Sequence, residues 1–358
     1  RGLIGSIYKV LDFINPANMW TYEWNKIFTM TITMIYFIIL FAFFMLCLKK
    51  CKITISEEIK YLILFFTIWA IPMFVSKYNF GRLDIYCVML SLLGAILLIL
   101  EKWEWLAVPF AALGVMVHQG NVFMFLNIIL LLLVYKALSN EGKKRNKYII
   151  LFILSFLVAS AFFLYFEFFS HVNGEAIVDE VRKIAGSLRY DNKYHKDVIK
   201  HEILGIDVSE SERHFHLANF VQFPIFVLLM MPHIVIGVGL FRNIIKRAER
   251  PVDKFKYFMV SIGSATILPD LILKCDYGRW MFAIIAYYAV MILALLAMKD
   301  EIVTSELKAL MTKVDNNIPG AIVLLIYPML FQPLQDVTIC TLVAEWASKI
   351  NETFLHWW

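Results

Sequence analysis

Long apolar runs separated by short polar breaks dominate the chain. The runs are continuous, without the every-second-residue alternation of a membrane barrel. Stretches 27–48, 148–169 and 280–298 each approach the ~20 apolar residues that a helix needs to cross ~30 Å of hydrocarbon. A segment in lipid must satisfy its own backbone hydrogen bonds, so such runs predict helices. The pattern predicts about ten spans, at 27–48, 61–76, 83–100, 105–118, 121–135, 148–169, 219–241, 257–273, 280–298 and 319–335. The fourth and fifth form one apolar run broken only at His118-Gln119-Gly120-Asn121, which predicts a tight hairpin at Gly120.

One long hydrophilic excursion, 170–218, interrupts this series. Within it Ile177, Val181, Ile184 and Leu188 recur at helical spacing with charges between them. That predicts an amphipathic helix lying on the outer membrane surface or over a cavity. The expected fold is therefore all-α: a polytopic helical bundle in the membrane, one domain over 1–358, with 170–218 as an extracytoplasmic loop or lid.

Composition agrees. Of 358 residues 60% are hydrophobic and 18% charged, and mean hydropathy is +0.69; soluble domains are about 45–50% apolar. The net charge of +5 calls for no nucleic acid, because basic residues in such a chain mainly report orientation. Three basic groups matter: Lys49, Lys50, Lys52 and Lys60; Lys136, Lys143, Lys144, Arg145 and Lys147; Arg242, Lys246, Arg247, Arg250, Lys254 and Lys256. The span assignment puts all three on one side, read as cytoplasmic. Segment 1–26 then lies outside, so an earlier span ahead of Arg1 is expected. The five cysteines lack metal-like pairing and read as packing residues.

The polar residues left at span ends gather on the opposite, outer side. In "KCDYGRWMF", residues 274–282, Lys274, Asp276 and Arg279 crowd into six positions. Arg279 reads either as a snorkelling arginine paired with Asp276 or as an anion clamp, since its fork matches phosphate oxygens and Lys274 adds a point charge. Arg82 and Asp84 open the third span. Asp84 suits a helix N-terminus and Arg82 does not, which favours a tertiary or functional role for the arginine. His118 breaks an apolar run and reads as a structural hairpin residue or an acid–base group. Arg213, His214 and His216 bring charge back to the membrane edge as candidate lid contacts. His214-Phe-His216 has no helical metal-ligand spacing, so no metal site is expected.

Arg82, His118 and Arg279 carry a resemblance. The stretch "FGRLDIYCVMLSLLGAILLILEKWEWLAVPFAALGVMVHQGNVFMFL", 80–126, resembles the EpsG-like, Wzy-type bacterial polysaccharide polymerases, which show an arginine opening a span and an apolar run ending in a histidine beside small or polar residues. "DYGRW", 276–280, looks like the later arginine-bearing outer segment of such enzymes. The early Gly-Thr-Asp-Tyr-like stretch of the family is not visible. The resemblance implies a fold related to GT-C glycosyltransferases in the bacterial cytoplasmic membrane. It implies transfer of a glycan from undecaprenyl pyrophosphate to another lipid-linked repeat unit at the outer face, without nucleotide sugar, obligatory metal or other cofactor, and a chain-length regulator as partner. In that scheme Arg82, Arg279 and Lys274 hold the pyrophosphate, and His118, Asp276 or Asp84 handles the acceptor hydroxyl. A lipid-oligosaccharide flippase, a glycan ligase, another GT-C transferase and a membrane acyltransferase are the competing expectations.

Overall fold

The computed structural model describes residues 22–51, 83–169, 222–269, 277–317 and 319–320. Among these residues the chain is helix, short 3-10 or π segments and turns, with no strand. The helices are α1 (Tyr22–Lys50), α2 (Asp84–Leu100), α3 (Ala107–Val117), α4 (Asn121–Met124), α5 (Leu126–Ser139), α6 (Gly142–Leu164), α7 (Gln222–Arg247), α8 (Pro251–Ile262), α9 (Tyr277–Ala297) and α10 (Glu301–Asp315). Expected spans 61–76 and 319–335 and the loop 170–218 fall wholly or mostly outside the described residues.

Among the described residues two segments, Ile27–Lys50 and Gly142–Phe169, are long and apolar enough to cross a membrane. Their packing supports that use. On α1, Tyr36, Leu40, Phe43 and Cys47 are buried, while Met34, Ile38 and Phe41 on the other face are exposed and equally apolar. On α6, Tyr148, Leu151, Ser155 and Ala159 face inward, and Ile150, Ile153, Phe156 and Leu157 face outward. A helix in water would carry polar residues on such outer faces; lipid is the solvent that suits them. A third candidate is the pair Ala283–Ala297 and Glu301–Lys313, bent by 116°.

Helix α9 runs through the core. From Ala289 to Ala297 every residue is buried, and small residues such as Ala283, Ala286 and Ala294 admit close neighbours. The bend after α9 has a local cause. Lys299 sits at φ 58, and Asp300 Oδ1 accepts a 3.0 Å hydrogen bond from the Val303 amide, capping α10. Val303, Leu307 and Met311 then bury one face of α10.

Polar contacts tie several helix ends into one cluster. The Lys50 ammonium donates to the Ile99 carbonyl at 3.2 Å, and the Cys51 thiol donates to the Leu296 carbonyl at 2.8 Å. Lys136 donates to the Leu98 carbonyl at 2.8 Å and pairs with Glu101 at 2.9 Å. Glu104 pairs with Lys147 and accepts from the Tyr148 hydroxyl at 2.5 Å. Tyr135 and Tyr257 both donate to Asp300, and Arg247 pairs with Glu306 at 2.6 Å. Thus α1, α2, α5, α7 and α9 end, and α6, α8 and α10 begin, at one end of the molecule, the basic end. Members of all three basic sequence groups meet there.

Element boundaries differ from the hydrophobic pattern in instructive ways. Helix α6 starts at Gly142, so Lys143, Lys144, Arg145 and Lys147 form its first turns and are not a loop. Helix α8 starts at Pro251, with proline at a first-turn position where its missing N–H costs nothing. It gives way at Gly263 to a 3-10 segment, Gly263–Ile267, breaking the expected span 257–273. Helices α3 and α5 pack as a hairpin from the basic end and back, but with 11 and 14 residues they measure only ~16 and ~21 Å.

Candidate functional site at the end opposite the basic cluster

Helices α2 and α9 run parallel away from this site, because both terminate at the basic end. Their first turns, carrying Asp84 and Tyr277–Trp280, therefore share the other end. The turn after α3 joins them there. The Cys87 thiol, one turn into α2, lies 3.6 Å from the Gly114 carbonyl as a hydrogen-bond donor. His118 follows Gly114 by one turn, and its own amide donates to the same carbonyl at 3.1 Å. Helix α9 packs against both α2 and α4. From the other side α6 arrives through its terminal π turn, where Gln119 donates to Glu167 at 3.2 Å.

His118 ends α3 in an extended conformation, φ −151 and ψ 119, and is half-buried. Its Nδ1 accepts a 2.9 Å hydrogen bond from the Gly120 amide. In the neutral imidazole the proton must then sit on Nε2. A side chain at position 120 would displace the His118 ring: a Cβ there would lie 2.7 Å from His118 Cε1 and 2.9 Å from Nδ1. Glycine at 120 thus orients the ring and leaves it a hydrogen-bond donor.

Asn121 is buried at 2% exposure beneath this turn. Its Nδ2 would be only 2.2 Å from a Cβ on Gly114, so that glycine makes the room. Among the described residues Asn121 Oδ1 is buried without a hydrogen-bond partner, and so is Trp280 Nε1 in the first turn of α9. An unpaired buried polar atom costs about 1–3 kcal/mol, and among the described residues Asn127 Oδ1 and Ser155 Oγ are unpaired in the same way. Asp84 is 3% exposed at the start of α2, where the helix dipole favours a carboxylate.

Of the residues singled out in the sequence, Asp84, His118 and the backbone of Arg279 are therefore brought to one end. Arg279 is the third residue of α9, and its side chain is outside the described set. Arg82, Lys274, Asp276, Arg213, His214 and His216 also lie outside the described residues. Asn121, Trp280 and Glu167 join the site without having been given a role. A buried amide in the middle of an apolar run was the signal available for Asn121. No family model, curated protein or solved structure matches the chain.

Proposed function

We propose that this chain is a polytopic membrane glycosyltransferase that polymerises lipid-linked oligosaccharide repeat units, taking the growing glycan from undecaprenyl pyrophosphate to a lipid-linked acceptor. The reading includes about ten spans, a GT-C-related bundle, and the bacterial cytoplasmic membrane with the site facing outward. One observation carries it: Asp84, the His118 turn and the Arg279-bearing first turn of α9 share the end opposite the basic cluster. Basic residues favour the cytoplasmic side, so the site end is the outer one. A site there has no nucleotide sugar or ATP within reach, which makes a lipid-activated donor the fitting substrate.

In this mechanism Arg279, with Arg82 and Lys274, binds the pyrophosphate and stabilises the charge that grows as the glycosidic bond breaks. His118, its proton on Nε2, donates to a phosphate or sugar oxygen. A carboxylate, Asp84 or Asp276, orients the acceptor hydroxyl and takes its proton. The 170–218 loop excludes competing water. The lid contacts are Arg213, His214 and His216.

The test is Arg279→Ala and Arg279→Lys in cells, with glycan ladders read beside protein level. Both variants are expected to reach the membrane and to lose long ladders while single repeat units are still displayed. Long ladders at normal intensity in both variants remove Arg279 from the mechanism. Loss of all display, single units included, favours the flippase.

A further inference from the structure

The basic end holds an open cavity of about 460 Å³ at the elbow between α9 and α10. Leu296 forms an apolar wall, and Cys51 closes the side next to α1. One face of α10 supplies Glu301, Thr304, Ser305 and Lys308, and the bend supplies Lys299. The left-handed backbone at Lys299 is uncommon for a residue with a side chain, and it sets the lysine on the cavity.

Among the described residues several cations elsewhere at this end meet carboxylates, Lys136 with Glu101, Lys147 with Glu104, Lys256 with Asp253 and Arg247 with Glu306, while others such as Lys143 and Arg145 do not. Among the described residues Lys299 and Lys308 meet none. Ser305 Oγ accepts from Arg247 at 2.7 Å, so its own proton is available to another acceptor. The Cys51 thiol adds no anion. It donates to Leu296, and burial pushes its pKa up to about 11 although Lys299 pulls the other way. Two ammonium groups, one hydroxyl donor and a single carboxylate therefore leave the cavity a net cation.

We propose that this elbow cavity binds a phosphate group, held by Lys299, Lys308 and the Ser305 hydroxyl. Height favours an anionic phospholipid headgroup as its source. Cys51 directly follows the candidate span Ile27–Lys50, so the cavity lies at the level where hydrocarbon gives way to headgroups. The lipid phosphate reaches the lysines from the side, and its acyl chains lie along the apolar flank of α1. The inference is independent of the glycan-transfer reading, since it concerns the other end of the molecule.

The experiment compares thermal unfolding of the full chain in nanodiscs of phosphatidylcholine alone and of phosphatidylcholine with phosphatidylglycerol. A ligand that binds only the folded state raises Tm. The anionic lipid is expected to raise Tm for the wild type, and Lys299→Gln/Lys308→Gln is expected to lose more than half of that rise. Among the described residues neither lysine has an ion pair to break, and Lys299→Arg/Lys308→Arg keeps the charge and is expected to keep most of the rise. Lys143→Gln/Arg145→Gln, at the same end but outside the cavity, is also expected to keep it. An undiminished rise in the cavity Gln variant overturns the proposal, as does an equal loss in the Lys143/Arg145 variant, which would mean diffuse attraction. A third arm adds inorganic phosphate to phosphatidylcholine nanodiscs against chloride of equal ionic strength. A phosphate-specific rise that needs Lys299 and Lys308 upholds the site and overturns the lipid as its source.

Discussion

The Tyr135 hydroxyl donates a 2.5 Å hydrogen bond to Asp300 Oδ2 across 165 positions of sequence. The same oxygen accepts from Tyr257 at 2.7 Å, and Oδ1 caps α10. Asp300, 8% exposed, thus fastens the ends of α5, α8, α9 and α10 together. Asp300→Ala removes three hydrogen bonds to its side chain and leaves two phenols unpaired. We expect a cost of roughly 3 kcal/mol or more. Asp300→Asn keeps an acceptor and costs less, and Tyr135→Phe costs about 1 kcal/mol. Unfolding midpoints in detergent, taken in that order, check the ranking. An Asp300→Ala midpoint equal to that of Tyr135→Phe would refute the hub.

Glu101 gives this end a pH dependence. Burial alone would raise its pKa, but hydrogen bonds from Lys136 and Lys144 more than reverse that and hold it down at about 2, against 4.5 ordinarily. A carboxyl whose folded pKa is depressed contributes stability above its unfolded pKa and loses it as pH falls toward the folded one. The contribution is therefore complete above pH 4.5 and fades between 4.5 and about 2. The Glu101 side chain is 46% exposed, so screening limits it to about 1 kcal/mol. Glu101→Gln is expected to match a wild type that has lost this term at low pH and to fall below it near neutrality. Parallel stability curves for the two proteins across this range would exclude the linkage.

Continuous hydrophobicity revealed the helical class, the α3–α5 reversal at Gly120 and the gathering of basic residues, because each follows from solvent partition along the chain. Helix starts were less legible. Lys143 to Lys147 look like a loop, yet the backbone there is helical, and the Lys144 and Lys147 ammonium groups reach Glu101 and Glu104. The break at Gly263 was hidden because its cause is distant: Asn127 donates to the Gly263 carbonyl at 2.9 Å, and Tyr287 to the Val260 carbonyl at 2.7 Å. The elbow at Lys299 was missed because α10 is amphipathic and short, and only Asp300 and its two tyrosines reveal that it folds back. At the candidate site, His118 and Asp84 were legible as polar residues in apolar surroundings. The tautomer of His118 was not, because it depends on one amide two residues away.

That tautomer separates two roles for His118. With Gly120 donating to Nδ1, the ring offers Nε2–H and acts as a donor; a base would need that nitrogen bare. Glutamine can place an amide N–H where Nε2–H lies, but it cannot accept a proton. If His118 donates, His118→Gln keeps a measurable share of long glycan ladders while His118→Ala loses roughly 10²–10³ in rate. If His118 is the base, the two variants fail alike, by roughly 10²–10⁴. Gly120→Ala adds a readout that does not depend on turnover. Its Cβ would collide with the ring at 2.7–2.9 Å and force Nδ1 away from the amide. Nitrogen NMR of His118 labelled in the imidazole is expected to show one neutral form, protonated at Nε2, in the wild type and a mixture of tautomers in Gly120→Ala. A wild-type spectrum with the proton on Nδ1 would return His118 to the role of base and leave the donor position to be filled by another residue of the same end.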